Sequence, residues 1–253
     1  MIEIKLTIGD QSRLTALPSG WHEVTPEQFV YIVSHELVYG ELPTQIIYHL
    51  LRATDYERRC LKPADIYAIS QYLTWLQSYD TISHWVLSSI TLPDGRKCFP
   101  PDDDWDNMTW EEFVFADQLA AVGNWDAVAA CLFRPHADVV SEDADPRIPF
   151  SRVGATNRLP LFRKLTDATF KAVEINYLLL RRLVTDRYPH LFTSSQSSRS
   201  QSSTSWVDVT SQVLGDSIWE EPQLLHTSVH QVLAHLDHVI HENSKRTRNA
   251  KNR

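Results

Sequence analysis

The sequence predicts a mainly α-helical protein: a multi-helix domain with a short amino-terminal β-strand or hairpin and a linked carboxyl-terminal helical segment. Three observations carry that expectation. Apolar residues recur at three- and four-residue spacing in several stretches, the period of a one-sided helix. Trp21 to Val30 and Trp105 to Val114 both read Trp-x-x-x-Thr-x-Glu-[Gln/Glu]-Phe-Val, a helix-start signal. Clear period-two alternation of apolar and charged residues is confined to Met1 through Ile8, which reads as one strand.

In chain order, Ile2, Ile4, Leu6 and Ile8 share one face of that strand, Gly9-Asp10 turns it, and Arg13 to Leu17 pairs back before Pro18-Ser19-Gly20 breaks the pattern. Trp21 precedes a helix whose N-cap is Thr25, with Pro26 preset for the first turn, Gln28 as reciprocal capping partner and Phe29 as apolar anchor. Pro43 to Arg52 carries Ile46, Ile47, Leu50 and Leu51 at helical spacing. Pro63 to about Tyr79 does the same with Ile66, Ile69, Tyr72, Leu73 and Leu76. Trp85, Val86 and Ile90 with the turn Pro93-Asp94-Gly95 suggest a short hairpin within Thr81 to Pro101.

The central stretch predicts two short helices joined by a tight turn at Gly123-Asn124. Thr109 caps the first, Glu112 reaches back to the cap amide, and Trp105, Phe113 and Trp125 serve as structural anchors, as Trp21 and Phe29 do upstream. The two motif copies read as one physical solution reached twice, because the residues after them do not continue to match. His136 to Gly154, rich in proline, acid and small residues, reads as a long surface loop. From about Pro160 to Arg187 a helix with a break near Thr166-Asp167 presents Phe170, Val173, Tyr177, Leu180 and Val184 as a seam, widened by Ile175, Leu178, Leu179 and Leu183. That face belongs in a core or at a protein interface. The domain division expected is therefore a helical core with amino-terminal strands over 1–192, a Ser-rich flexible linker over 193–205, a helical segment over 206–243 with a short helix from Trp206 to Gly215 and another from Leu224 to about Asn243, and a basic disordered tail over 244–253.

Composition narrows the function classes. A formal net charge of −8 argues against a nucleic-acid-binding body. Cys60, Cys98 and Cys131 are odd in number and far apart, which fits idle thiols in a reducing cytoplasm better than disulfides or a metal knuckle. No apolar run approaches the ~20 residues of a membrane span, and the amino terminus lacks a signal-peptide pattern. Asp102-Asp103-Asp104 resembles a cation site only superficially, since the alternating ligands, glycine and terminal glutamate of a calcium loop are missing. His226, His230, His235, His238 and His241 crowd one helix, but they scatter around an apolar stripe formed by Val229, Val232, Leu233, Leu236, Val239 and Ile240. Nucleophile elbows, phosphate loops and dinucleotide fingerprints are all missing. A non-enzyme with no catalytic, cofactor or metal residues is the expectation.

The succession Trp21-x-x-x-Thr25-Pro-Glu-Gln-Phe29, then Pro100-Pro-Asp-Asp-Asp-Trp105-x-Asn-Met-Thr109-Trp-Glu-Glu-Phe113-Val-Phe-Ala-Asp117, then Ala129-Ala-Cys-Leu-Phe-Arg-Pro135, resembles helical proteins of phage and prophage structural modules, specifically tail-assembly-chaperone-like proteins. The resemblance spans 21 to about 190 and, less clearly, 206–243. It implies an α-helical morphogenesis factor in the host bacterial cytoplasm that holds the tape-measure protein while the tail tube assembles. Its partners would be that protein, the tail-tube protein and a second copy of itself. A connector, neck or tail component retained in the virion is the alternative, and a metal-dependent enzyme using the carboxyl-terminal histidines a more distant one. The amino-terminal strand and the linked carboxyl-terminal helices depart from the shorter members of that group.

Overall fold

The computed structural model describes residues 1–8, 10–35, 42–138, 145–192, 206 and 221–251. Among these, ten α-helices accompany two small two-stranded antiparallel sheets, so the protein is mainly α. None of the described helices is long and apolar enough to cross a membrane. The chain divides into two compact units, 1–90 with 166–179, and 91–165 with 180–253.

In the first unit, β1 (Ile2–Ile8) and β2 (Gln11–Leu17) form the expected hairpin, registered by Ile4 opposite Thr15 and Leu6 opposite Arg13. Its inner face meets α2 (Thr44–Leu50) and α3 (Asp55–Cys60), which follow α1 (Pro26–Ser34). Arg13 Nη2 donates to the Leu51 carbonyl at 3.1 Å and to Glu57 Oε2 at 3.0 Å, while Thr15 Oγ1 donates to Leu51 O. Glu57 also completes the capping box of α3, accepting from the Thr54 amide at 2.7 Å. The hydrogen bond from Arg13, and then the Thr54 amide, hold the Glu57 carboxyl down at about 2.

The Thr25 cap of α1 forms as the sequence predicts, with Thr25 Oγ1 accepting from Gln28 N and Gln28 Oε1 accepting from Thr25 N. Trp21 is a buried anchor: its indole N–H donates to Ser78 O at 3.0 Å, and its ring meets Phe29, Trp75 and Tyr79. α4 covers only Pro63–Ser70. The turns after it tighten to a 3-10 helix over Gln71–Gln77, kinked at Leu73, where one continuous helix was expected. Asn176 is buried here as a splint, its amide accepting from Leu87 N at 2.9 Å and donating to His84 O at 3.0 Å.

In the second unit, β3 (Ile90–Thr91, beginning at the unit boundary) and β4 (Lys97–Cys98) make the small hairpin. α5 (Trp110–Ala121) and α6 (Trp125–Leu132) form the predicted helical pair. Gly123 sits at φ +70° between them, a left-handed turn that glycine adopts without a Cβ clash. α7 (Arg152–Phe162) occupies part of the span read as loop, and α8 (Asp167–Thr185) begins after the expected break. Residues 166–179 belong to the first unit and 180–185 to the second.

The carboxyl-terminal portion departs from expectation in two ways. Instead of one helix over 224–243, α9 (Glu221–His226) and α10 (Val229–Lys251) are separated at Thr227-Ser228, where the chain pairs with the start of α5: Trp110 N donates to Thr227 O and Val229 N to Met108 O. Those main-chain bonds break the helix and tie 227–229 to the start of α5 within one unit. α10 also remains helical to Lys251, through residues read as a disordered tail. The expected linker at 193–205 and helix at 206–215 lie outside the described residues, apart from Trp206. Its indole N–H donates to Asp117 at 2.6 Å, and its ring meets Trp110, Phe113 and Phe192.

One pH effect follows from the hairpin. The Glu57 carboxyl is depressed below its unfolded value, so its contribution is present above about pH 4.3 and is lost as pH falls toward 2. In Arg13→Leu, an NMR titration is expected to find the Glu57 pKa moved up toward about 4.3, with a shallower acid dependence of stability.

Candidate functional site

The most concentrated chemistry lies in the second unit, where Glu112, Arg134, Asp145 and Arg147 meet. α5 begins at Thr109, whose hydroxyl accepts from Glu112 N at 3.2 Å. The reciprocal bond expected from Glu112 to the cap amide does not form. Its carboxylate turns inward, fully buried, and accepts from Arg134 Nη2 at 2.8 Å, with Arg147 Nη1 at 3.5 Å. Burying a carboxylate costs several kcal/mol, and two guanidinium groups offset that cost better than one backbone N–H would.

Each arginine is placed by main-chain pairing. Arg134 leaves the end of α6 and bridges Phe99, N to O at 3.0 and 2.8 Å in the two directions. Arg147 is carried back by Ala137 N to Pro146 O and Ile148 N to Pro135 O. Its head donates to Leu132 O at 3.1 Å, Asn107 Oδ1 at 3.2 Å and Asp145 Oδ2 at 2.8 Å. Asp145 closes the ring by also accepting from Arg134 Nη2 at 3.0 Å and from the Arg147 amide. Arg134 Nη1 donates to Ile148 O. Alongside, buried Arg158 donates to Ala130 O at 2.9 Å.

The electrostatics follow from depth. Burial raises the Glu112 carboxyl, against the pull of Arg134 and Arg147. Burial likewise draws the Arg134 and Arg158 guanidinium groups down. Asp145, nearer the surface, behaves otherwise: burial works upward, but hydrogen bonds from Arg147 overcome it and hold its carboxyl below the ordinary range. The Nε of Arg134 and of Arg158 are buried without a hydrogen-bond partner among the described residues, each at a cost of about 1–3 kcal/mol. A general acid or base must reach its substrate, whereas Glu112 and both arginines of this ring are sealed and already engaged. The arrangement is a fastening among α5, the end of α6, the Phe99 strand and the 145–148 return.

The other sequence candidates fall as follows. Trp105 and Phe113 are fully buried, Trp125 is half-buried, and Trp105 adopts φ +67°, a strained left-handed position at the turn before α5. In the acidic run, Asp104 accepts from the Asp106 amide and Asn107 accepts from the Asp102 amide, which is turn chemistry. Among the described residues no three His, Cys, Asp or Glu side chains gather closely enough to hold a metal. His230 serves as a two-sided fastener, with Nδ1 meeting Tyr188 Oη at 2.5 Å and Nε2 meeting Asp104 O at 2.6 Å.

The α8 seam requires a correction. Val173, Tyr177, Leu180 and Val184 are buried within the chain and Phe170 is half-buried, so they are core side chains and not an open protein-interaction face. Their spacing signalled burial without identifying what buries them. The opposite side of the helix is the accessible one: at ~100° per residue, Ile175, Leu178, Leu179 and Leu183 lie across from that seam. Leu178 is 47% and Leu183 40% exposed.

The buried charges were missed, although a signal existed. Glu112 lies within Trp110 to Phe115, Arg134 follows the apolar run Ala127 to Phe133, and Arg147 sits between Pro146 and Ile148-Pro149-Phe150. Charged residues enclosed by apolar neighbours are candidates for a paired interior. Comparison with known proteins finds no matching family, no matching curated relative and no matching solved structure.

Arg147→Ala is expected to destabilise the protein by about 3–5 kcal/mol in urea unfolding, because it leaves buried acceptors uncompensated.

Proposed function

We propose that this chain is a non-enzymatic phage morphogenesis protein of the tail-assembly-chaperone kind, which holds the helical tape-measure protein during tail-tube assembly. The observation that supports this reading is the pair of exposed leucines on the outer side of α8. One side is core, and the other carries the exposed Leu178 and Leu183, flanked by half-buried Ile175 and Leu179. Exposed leucines on a helix suit docking of an amphipathic partner helix, whose apolar side chains would cover them while its polar ones meet Lys171 and Arg182. The chemistry of the buried fastening is consistent with a binding scaffold, since its charges are spent on holding elements together. The likeness of the Trp21, Trp105 and Ala129 stretches to tail-assembly proteins supplies the biological context.

Two measurements test the proposal. Leu178→Glu with Leu183→Glu changes only exposed side chains, so stability should move by no more than about 0.5 kcal/mol per site. Co-purification of the co-expressed tape-measure protein should fall at least about tenfold, a loss of ~1.4 kcal/mol. Unchanged capture removes this face from the account. Mass spectrometry of purified particles is expected to find the chain absent, while stoichiometric retention would establish a structural component instead.

A further inference from the structure

The contacts that fasten α10 to the turn following α8 differ in their response to protons. Near the start of the helix, Val229, Val232, Leu233 and Leu236 are buried, and His230 bridges Tyr188 and the Asp104 carbonyl. Two turns beyond His230, Asp237 accepts from the main-chain amides of His190 and Leu191 at 2.8 and 2.9 Å. Beyond that, the His241 ring stacks on the His190 ring, with centroids 4.0 Å apart and planes 27° apart.

A stack of two imidazoles tolerates one proton, because the charged ring then lies over a neutral aromatic face. A second proton places two cations in contact. The charged groups around the pair offer little compensation. On α10, Glu242 is engaged by Lys245 at 3.0 Å, His238 adds a further proton acceptor, and Asp237 is the remaining carboxylate, already accepting two amides. From the segment after α8 come Arg187 and Tyr188. From the loop before α5, Asp106 lies 3.6 Å from His230 Nε2, at the other end of this contact, and Asp104 contributes a main-chain carbonyl there.

We propose that the outer part of α10, from Asp237 onward, is a proton-released arm: charging both rings of the His190–His241 stack opens it from the turn, while Val229 to Leu236 stays packed. Val239, Ile240, Lys245 and Arg246 on this arm are exposed in the closed form as well, so release changes the arm's attachment to the turn and not their accessibility. The direction of titration agrees, since burial, then His190 and Lys245, hold the His241 imidazole below its ordinary value. A histidine depressed in this way favours the closed form above about pH 6.5, and that preference is lost as pH falls through its folded pKa. His230 does not oppose release at the far end, because its protonated ring can still donate to Asp104 O and to the Tyr188 oxygen.

The test is an NMR titration of the full chain from pH 8 to 5, following the histidine ring protons together with hydrogen exchange at the His190 and Leu191 amides. The expected result is two imidazole steps separated by about one unit or more, with amide protection falling at least about tenfold through the lower step. In His190→Gln, which keeps the amide that Asp237 holds, His241 should titrate near about 6.5 and the amides should stay protected to pH 5. Raising salt to about 1 M in the unaltered protein should move release to lower pH by screening the repulsion, a measurement that needs no variant. Identical titration of the two rings, or undiminished opening in His190→Gln, would overturn the proposal.

Discussion

The second unit depends on one buried carboxylate. Glu112 lies one turn into α5 with no access to water, and the two guanidinium groups that meet it come from parts of the chain 22 and 35 residues away. Neither arginine could reach it unless the Phe99 strand, the end of α6 and the 145–148 return were already in place. The charge therefore acts as a check on assembly: an arrangement that omits any of these segments leaves an ionised group buried and unpaired, a penalty of several kcal/mol. Apolar packing supplies most of the driving force for collapse, and the ion network selects among the ways of collapsing.

The first unit uses the same logic at lower stakes. Glu57 joins Arg13 of the hairpin to the capped start of α3, and Asn176 splints the turn at His84 to Leu87. In both units, polar side chains from distant positions satisfy main-chain and charged groups that secondary structure alone would leave open. Each unit also buries its own aromatic cluster, Trp21 with Phe29 in the first and Trp105, Trp110 and Phe113 in the second.

How far the sequence could be read follows from the range of each interaction. Local rules were sufficient for the Ile2–Ile8 hairpin, the Thr25 capping box, the paired helices around Gly123 and the break before α8, because caps, turns and alternation are decided within a few residues. They failed where a distant partner outbid a local one. Glu112 matched the capping-box spacing, yet two arginines held it more strongly than the cap amide could. Thr227-Ser228 carried no breaker residue and was read as helix, but pairing with Met108 and Trp110 interrupts it. The α8 seam shows a third limit: periodicity identified a face that must be covered without distinguishing a covering from the same chain from one supplied by a partner.

The charges of the second unit are sealed inside, and the proposed holding role draws instead on Leu178 and Leu183, exposed on α8. The Glu112 network acts as a unit, and a double-mutant cycle of Glu112→Gln and Arg134→Met in equilibrium unfolding tests this most directly. A coupling energy of about 2 kcal/mol or more between the two sites is predicted, with the double variant less destabilised than the sum of the singles. Additivity to within about 0.5 kcal/mol would contradict it.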